Sequence, residues 1–258
     1  MSDAQPEPRA SLSALPCESL ELVQLRAELA SERTQAELRA RIFRLLSHEF
    51  RTPLTVILSS TELLQTYGER WDTFKRNGHL TKIAHSVELL SALLDDVLLF
   101  NKIQAGVLEA VGAPPVQPMQ GFLQSLIEDI SDDSQARRVH LECPPIDFAL
   151  DTELLSPALR NLLHNALHYT KGGIELRAWR QDGSLWLQVD DEGPGFSEEE
   201  RLRLFEPFFR GVSAQGIPGT GLGLAVVQSC VRLLGGEVRC RPHSPCGSTF
   251  QLQFEDRT

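Results

Sequence analysis

From Leu20 to Thr52 the chain contains neither glycine nor proline. A run of that length with helical apolar spacing can fold only as one long rod. Leu22, Leu25, Leu29, Ala36 and Phe43 share a heptad frame, which the polar Glu32 and Arg39 leave imperfect. Beyond it every seventh residue is large and apolar (Phe43, Phe50, Ile57, Leu64), with Leu46, Leu54 and Leu58 between. Such a helix is unstable alone and expects a partner, its own copy being the simplest. His48 stands five residues past Phe43, about 140° round the helix, so its imidazole is expected to face solvent. Glu49 flanks it and Thr52 follows one turn later on the same face. Pro53 removes a backbone hydrogen bond just past His48 and is expected to kink the rod.

The 258 residues suit two compact domains, and 41% hydrophobic with 23% charged residues is an ordinary globular composition. A net charge of -10 argues against nucleic-acid or anionic-membrane partners, which require clustered Lys and Arg. The greasiest run, LLSALLDDVLLF, carries Asp95 and Asp96 and falls short of the roughly 18 apolar residues of a membrane span. The N-terminus lacks a signal peptide's apolar core, so a cytoplasmic location is expected. Cys17, Cys143, Cys230, Cys240 and Cys246 form no CxxC pair and are expected as free thiols. CRPHSPC supplies only three potential metal ligands.

Residues 1–18 read as a disordered lead-in and 19–40 as a coiled-coil helix. The His48 helix should end near Gly68, followed by a polar loop of about ten residues. A second helix with Leu80, Ile83, Val87, Leu90, Leu94 and Val97 returns antiparallel. A two-helix hairpin cannot bury its own stripe, so residues 41–111 are expected to form a dimeric four-helix bundle. GAPPVQP, residues 112–118, is a stiff linker. Residues 119–258 change character. Helices are expected at 122–136, 152–169 and 222–234, with strands at 138–142, 147–151, 173–179, 184–189, 237–241 and 248–254. Together they make an α+β two-layer sandwich of helices over a mixed sheet.

Three segments of that second half carry chemistry. In NLLHNALHYT, Asn161 and Asn165 share a helical face, and their amide oxygens suit Mg2+. In DEGPGF, Asp191 ends a strand, while Gly193 and Gly195 allow a sharp turn; a carboxylate there can accept from the exocyclic amine of adenine. GTGLGL opens a helix with free backbone N–H groups that favour phosphate.

Taken together, these segments resemble the bacterial two-component sensor histidine kinases. SHEFRTPL matches that family's phosphoacceptor box and NLLHNALHYT its asparagine box. DEGPGF matches its first glycine box, LFEPFFRG its phenylalanine box and GTGLGLAVVQ its second glycine box. DVLLFNKIQAG is similar to the end of its second dimerisation helix. The resemblance spans residues 35–255 and implies a homodimeric helical hairpin followed by a Bergerat-type ATP-binding sandwich. It implies that His48 accepts the γ-phosphoryl of ATP, Glu49 draws off the ring proton, and Asn165 with Asn161 holds Mg2+. Asp191 would read adenine. Gly193, Gly195, Gly219, Thr220, Gly221, Leu222 and Gly223 would frame the nucleotide and its lid, and Arg210 would neutralise the triphosphate. His168, Tyr169, Phe208 and Thr249 complete the implied nucleotide contacts, with Phe205, Phe208 and Phe209 anchoring the lid. The phosphoryl group would pass to an aspartate of a response-regulator receiver domain. The HExxT pattern implies that Thr52 helps dephosphorylate that regulator.

Two departures stand out. His168 occupies the place of a lysine usual in the family, which predicts weaker ATP binding that tightens as the imidazole protonates, with Lys171 or Arg210 compensating. Too few residues precede the His48 helix for a folded sensor domain. Either the N-terminal helix receives a sensory partner protein or this is the core of a larger polypeptide. The competing reading is a nucleotide-binding scaffold or degenerate kinase that regulates partners without phosphotransfer.

Overall fold

The computed structural model describes residues 20–108, 110, 112, 114–130, 133–214, 219–243 and 246–255. The expected lead-in at 1–18 and the side chain of His48 lie outside the described residues. Helix α1 runs from Leu20 to Tyr67 and continues through Pro53. A turn of 3-10 helix, Gly68–Arg70, leads into α2, Thr73–Gln104. The connection is therefore much shorter than the ten-residue loop expected from the polar run. Asp72 explains the difference, because its carboxylate accepts the Lys75 backbone N–H at 2.7 Å and starts the helix there. Trp71 stacks on His79 with ring centroids 4.8 Å apart and lies under Lys75. His79 Nδ1 also lies 3.3 Å from Ser60 Oγ, joining α2 to α1 beside the turn.

From Leu45 onward, Leu46, Pro53 and Ser60 are the buried positions of α1, while Phe50, Ile57 and Leu64 are half-buried. In α2 the buried seam is Ser86, Leu93 and Phe100. Leu54 and Leu58 of α1 and Leu80, Val87, Leu94 and Leu98 of α2 are exposed in the single chain. Helical hydrophobic residues at heptad spacing that meet water mark a face still awaiting cover.

The remainder builds a five-stranded sheet with helices on a single face, and a separate pair of short strands. In order come β1 (Gln117–Pro118), α3 (Met119–Ile130), α4 (Asp133–Ala136), β2 (Val139–Glu142), β3 (Asp147–Phe148) and α5 (Thr152–Tyr169). Then come β4 (Ile174–Gln181), β5 (Ser184–Asp191), α6 (Glu198–Arg201), α7 (Gly223–Leu233), β6 (Glu237–Pro242) and β7 (Ser248–Glu255). The five-stranded sheet has the order β2-β4-β5-β7-β6; β2 and β4 are parallel and the other pairs antiparallel. β1 and β3 pair separately. The expected strand through Asp151 stops at Phe148, since Asp151 instead caps α5 by accepting from Glu153 N–H at 2.9 Å.

Register assigns the faces, because side chains alternate along a strand. Ile174, Leu176 and Ala178 of β4 pair with Asp191, Val189 and Leu187 of β5, which pair with Ser248, Phe250 and Leu252 of β7. This row is buried, and α3, α5 and α7 supply the other half of the core through Met119, Leu123, Leu155, Leu159, Val226 and Cys230. The opposite row holds Arg177, Trp179, Trp186, Gln188, Asp190, Thr249 and Gln251, with the two tryptophans stacked 6.0 Å apart. Among the described residues, no helix is long and apolar enough to cross a membrane.

Candidate functional site

The site opens where β5 ends. Asp191 is the last residue of β5 and is buried on the helix-facing side. Gly193 N–H donates to its Oδ1 at 2.7 Å, and the backbone and hydroxyl of Ser248 also hydrogen-bond the carboxylate. Burial raises the Asp191 carboxyl above its ordinary 3.8, against the pull of those hydrogen bonds. The glycines around it are dictated by close approach. A Cβ on Gly195, where φ is +67°, would stand 2.7 Å from the Gly247 carbonyl oxygen, and one on Gly193 would meet Asp191 Oδ1 at 2.7 Å. A Cβ on Gly247 would collide with the Asp191 carbonyl.

Thr249 lies elsewhere. It pairs across from Asp190, and its hydroxyl donates to Asp190 Oδ1 at 2.5 Å on the far side of the sheet. The hydroxyl beside Asp191 is that of Ser248, one residue earlier. Adjacent residues of a strand face opposite ways, and the register, which the GST run does not disclose, decides between them. Asp190 also accepts from Arg177 at 2.6 Å and from Gln188. Burial alone would raise its carboxyl, but the bonds from Thr249, Gln188 and Arg177 outweigh it and hold the group below 3.8.

Helix α5 supplies the second wall. Asn165 is half-buried there. Asn161, one turn earlier, gives its amide N–H to Asp96 Oδ1 of α2 at 2.8 Å and to the Pro157 carbonyl at 3.2 Å. Its Oδ1 occupies the space of a Cβ on Gly223, so the amide joins α2, α5 and the start of α7. Asn165 is thus the amide of the pair not drawn into that junction. His168 is exposed and stacks on His164 at 5.8 Å, with its edge to Tyr169 at 5.6 Å. Burial raises the Tyr169 hydroxyl above its ordinary value, and the nearby Arg210 charge opposes that rise. Lys171 is exposed.

The third wall is the Phe208–Arg210 and Gly219–Gly223 pair of segments. Phe208 is buried with φ at +66°, a conformation costing a bulky residue of order 1–2 kcal/mol. Its N–H donates to the Gly221 carbonyl at 2.9 Å, and a Cβ on Gly221, at φ +68°, would meet the Phe209 carbonyl oxygen at 2.6 Å. Thr220 is buried and accepts from the Leu222 N–H at 3.2 Å. Gly223 then opens α7, whose first turn has no side-chain cap, leaving backbone donors for an anion. Glu200, which sequence reasoning missed, fastens this wall: it completes a capping box with Ser197 and accepts the Val212 N–H at 2.6 Å.

The turn of α1 that carries Glu49 meets this segment. Gly219 N–H donates to Glu49 Oε2 at 3.1 Å, and Arg210 Nη1 stands 3.9 Å from Glu49 Oε1 while its Nη2 donates to the Ala214 carbonyl. Thr52 is exposed one turn beyond His48. The structure thus gathers Glu49, Arg210 and Gly219 at one point, and separately Asp191, Gly193, Gly195 and Ser248 at the end of β5. A buried carboxylate with close-packed glycines fits a flat amine-bearing base, and the uncapped helix start with Arg210 fits phosphate. No cluster among the described residues could hold a metal through His, Cys, Asp or Glu alone, so a metal here would need amide and phosphate oxygens.

Residues 150–258 match the family described as histidine kinase-, DNA gyrase B-, and HSP90-like ATPase, and residues 38–106 match the His Kinase A (phospho-acceptor) domain. Sensor histidine kinase AruS of Pseudomonas aeruginosa is 34% identical over 255 residues, covering 89% of this chain and 24% of its own. Sensor protein TorS of Escherichia coli is 31% identical over 235 residues, covering 88% of this chain and 24% of its own. The kinase/phosphatase MprB of Mycobacterium ulcerans is 32% identical over 227 residues, covering 83% and 43%. The chain spans about a quarter of the length of AruS and TorS. Full-length ShkA, solved in complex with AMPPNP, superposes with a TM-score of 0.56 at 29% identity over 83% of this chain and 45% of that one. The Acinetobacter baumannii histidine kinase AdeS shares the fold at 21% identity and a TM-score of 0.60, over 82% of this chain and 98% of that one.

Proposed function

Because the chain belongs to the two-component sensor histidine kinases, carrying both their phospho-acceptor and their ATPase domains, we propose that it phosphorylates His48 from ATP and passes the group to a response-regulator aspartate. The observation that carries the reading is the hydrogen bond from Gly219, in the glycine-rich loop, to Glu49, next to the acceptor histidine. It brings the phosphate-binding wall and the acceptor turn within one residue of each other. AMPPNP in the ShkA structure supports adenine nucleotide as the ligand.

Asp191 accepts from the adenine amine, with Ser248 orienting its carboxylate. The α7 start and Arg210 hold phosphate oxygens, and Glu49 takes the proton from the His48 ring. Asn165 holds Mg2+ by its amide oxygen; the metal neutralises phosphate charge. The uncovered stripe of Leu54, Leu58, Leu80, Val87, Leu94 and Leu98 supports a homodimeric four-helix bundle. Residues 41–111 form that bundle domain and 119–258 the nucleotide domain, a division supported by the pairing of β2 with β4 ahead of the matched ATPase segment.

Incubation with γ-labelled ATP should yield acid-labile, base-stable label on the wild type and none on His48→Gln. Absence of label on the wild type, with AMPPNP still bound, would favour a nucleotide-binding scaffold. MprB's name as a kinase/phosphatase supports regulator dephosphorylation as a second activity. Thr52→Ala should then keep autophosphorylation and lose dephosphorylation of the regulator; unchanged dephosphorylation would refute the role.

A further inference from the structure

Asp96 of α2 holds the amide of Asn161 at 2.8 Å. Three elements meet there. Asn161 belongs to α5 and fills the space over Gly223 at the start of α7, while α2 packs on α7, where the buried Cys230 faces Asp96. Burial pushes the Asp96 carboxyl up to about 6 even with the Asn161 bond opposing, and Asp95 adds to the rise. A carboxylate desolvated this far with a neutral amide as donor is a poor source of stability; an apolar side chain would serve α2 and α7 better. What a single directed bond supplies instead is orientation. A second tie between the hairpin and this domain joins Gly219 to Glu49.

We propose that Asp96 is a positioning residue for autophosphorylation: through Asn161 it seats the nucleotide domain on the helical hairpin in the arrangement from which the phosphoryl group passes to His48. The inference rests on the kinase reading above. In the transfer, a bond forms between a ring nitrogen of His48 and the γ-phosphorus of ATP. The bond from that phosphorus to the β,γ-bridging oxygen breaks, ADP leaves with the electron pair, and the ring proton goes to the Glu49 carboxylate. Asn161 in this account acts on the junction and not on the metal.

The test uses the full chain. Asp96→Ala should lower the autophosphorylation kcat by about tenfold or more, the scale expected for misplacement of reacting groups. Its KM for ATP and its affinity for AMPPNP should stay at wild-type values, which also reports that the fold is intact. Asp96→Asn keeps an acceptor oxygen and should recover most of the rate. A wild-type rate in Asp96→Ala, or a parallel loss of AMPPNP affinity, would overturn the positioning role. A wild type that never labels overturns the kinase reading itself, and is recognised because no variant comparison is then needed.

Discussion

Two neighbouring carboxylates show how much a single residue's surroundings decide. Asp190 and Asp191 differ by one position and face opposite sides of the sheet. Asp190 is held below 3.8 by Thr249, Gln188 and Arg177, so its contribution to stability is present above that value and is lost as pH falls through its folded value. Asp190→Asn should therefore destabilise the protein at pH 7, and the difference from wild type should shrink progressively as pH falls below 3.8, read by thermal unfolding across a pH series. Asp191 has the opposite sign. Its carboxyl is raised by burial, so the stability linked to it is present below 3.8 and lost as pH rises through the raised value. Asp191→Asn should raise Tm at pH 7 by a few degrees, roughly 4 °C per kcal/mol for a domain of this size, while AMPPNP affinity in calorimetry falls at least about tenfold. Gly247→Ala puts a methyl against the Asp191 carbonyl at φ +121°. Since backbone cannot yield as a side-chain tip can, a loss of roughly 1–3 kcal/mol in denaturant unfolding is expected.

At the scale of elements, the sequence periodicity located both hairpin helices and named Leu80, Val87 and Leu94 as one stripe, and all three are exposed in the isolated chain. Leu94→Ala removes one apolar contact from each protomer. At about 1.5 kcal/mol per side chain, the dimer should weaken roughly 100-fold, measurable by sedimentation equilibrium. An unchanged dimer would mean that another face pairs. The turn between the helices was misjudged from polarity alone. Thr73 to Gly78 are polar apart from Phe74, but Asp72 caps and Trp71 packs on His79, so the helix starts six residues before the end of the expected loop. Likewise Asp151 looked like the end of a strand when it is the cap of α5. Caps and strand ends share residue types, and only the backbone direction separates them.

For the whole molecule, the segment ahead of the matched ATPase region belongs to the same core. Met119, Leu123, Leu126 and Phe148 are buried, and β2 closes the edge of β4. A fragment 112–258 should fold and bind AMPPNP. A fragment 150–258 exposes the β4 edge and forfeits four buried side chains, about 6–12 kcal/mol, comparable with the entire stability of a domain. It should appear aggregated or unfolded by circular dichroism and gel filtration; a folded, nucleotide-binding short fragment would contradict the boundary at 119.

The chain itself declared its helices, its alternating strands and its glycine-rich loops, because these depend on spacing and local backbone preference. It also pointed to the proposed nucleotide-binding residues Asp191, Arg210 and the Gly219–Gly223 run, which sit in short contiguous motifs. Strand register was not legible, so Thr249 stood in for Ser248: a slip of one residue changes faces without changing composition. Nor was the pairing of Asp96 with Asn161, or of Glu49 with Gly219, separated by 65 and 170 positions. Such contacts are products of packing one folded layer against another, and no local pattern along a strand or helix encodes which side chain will stand opposite.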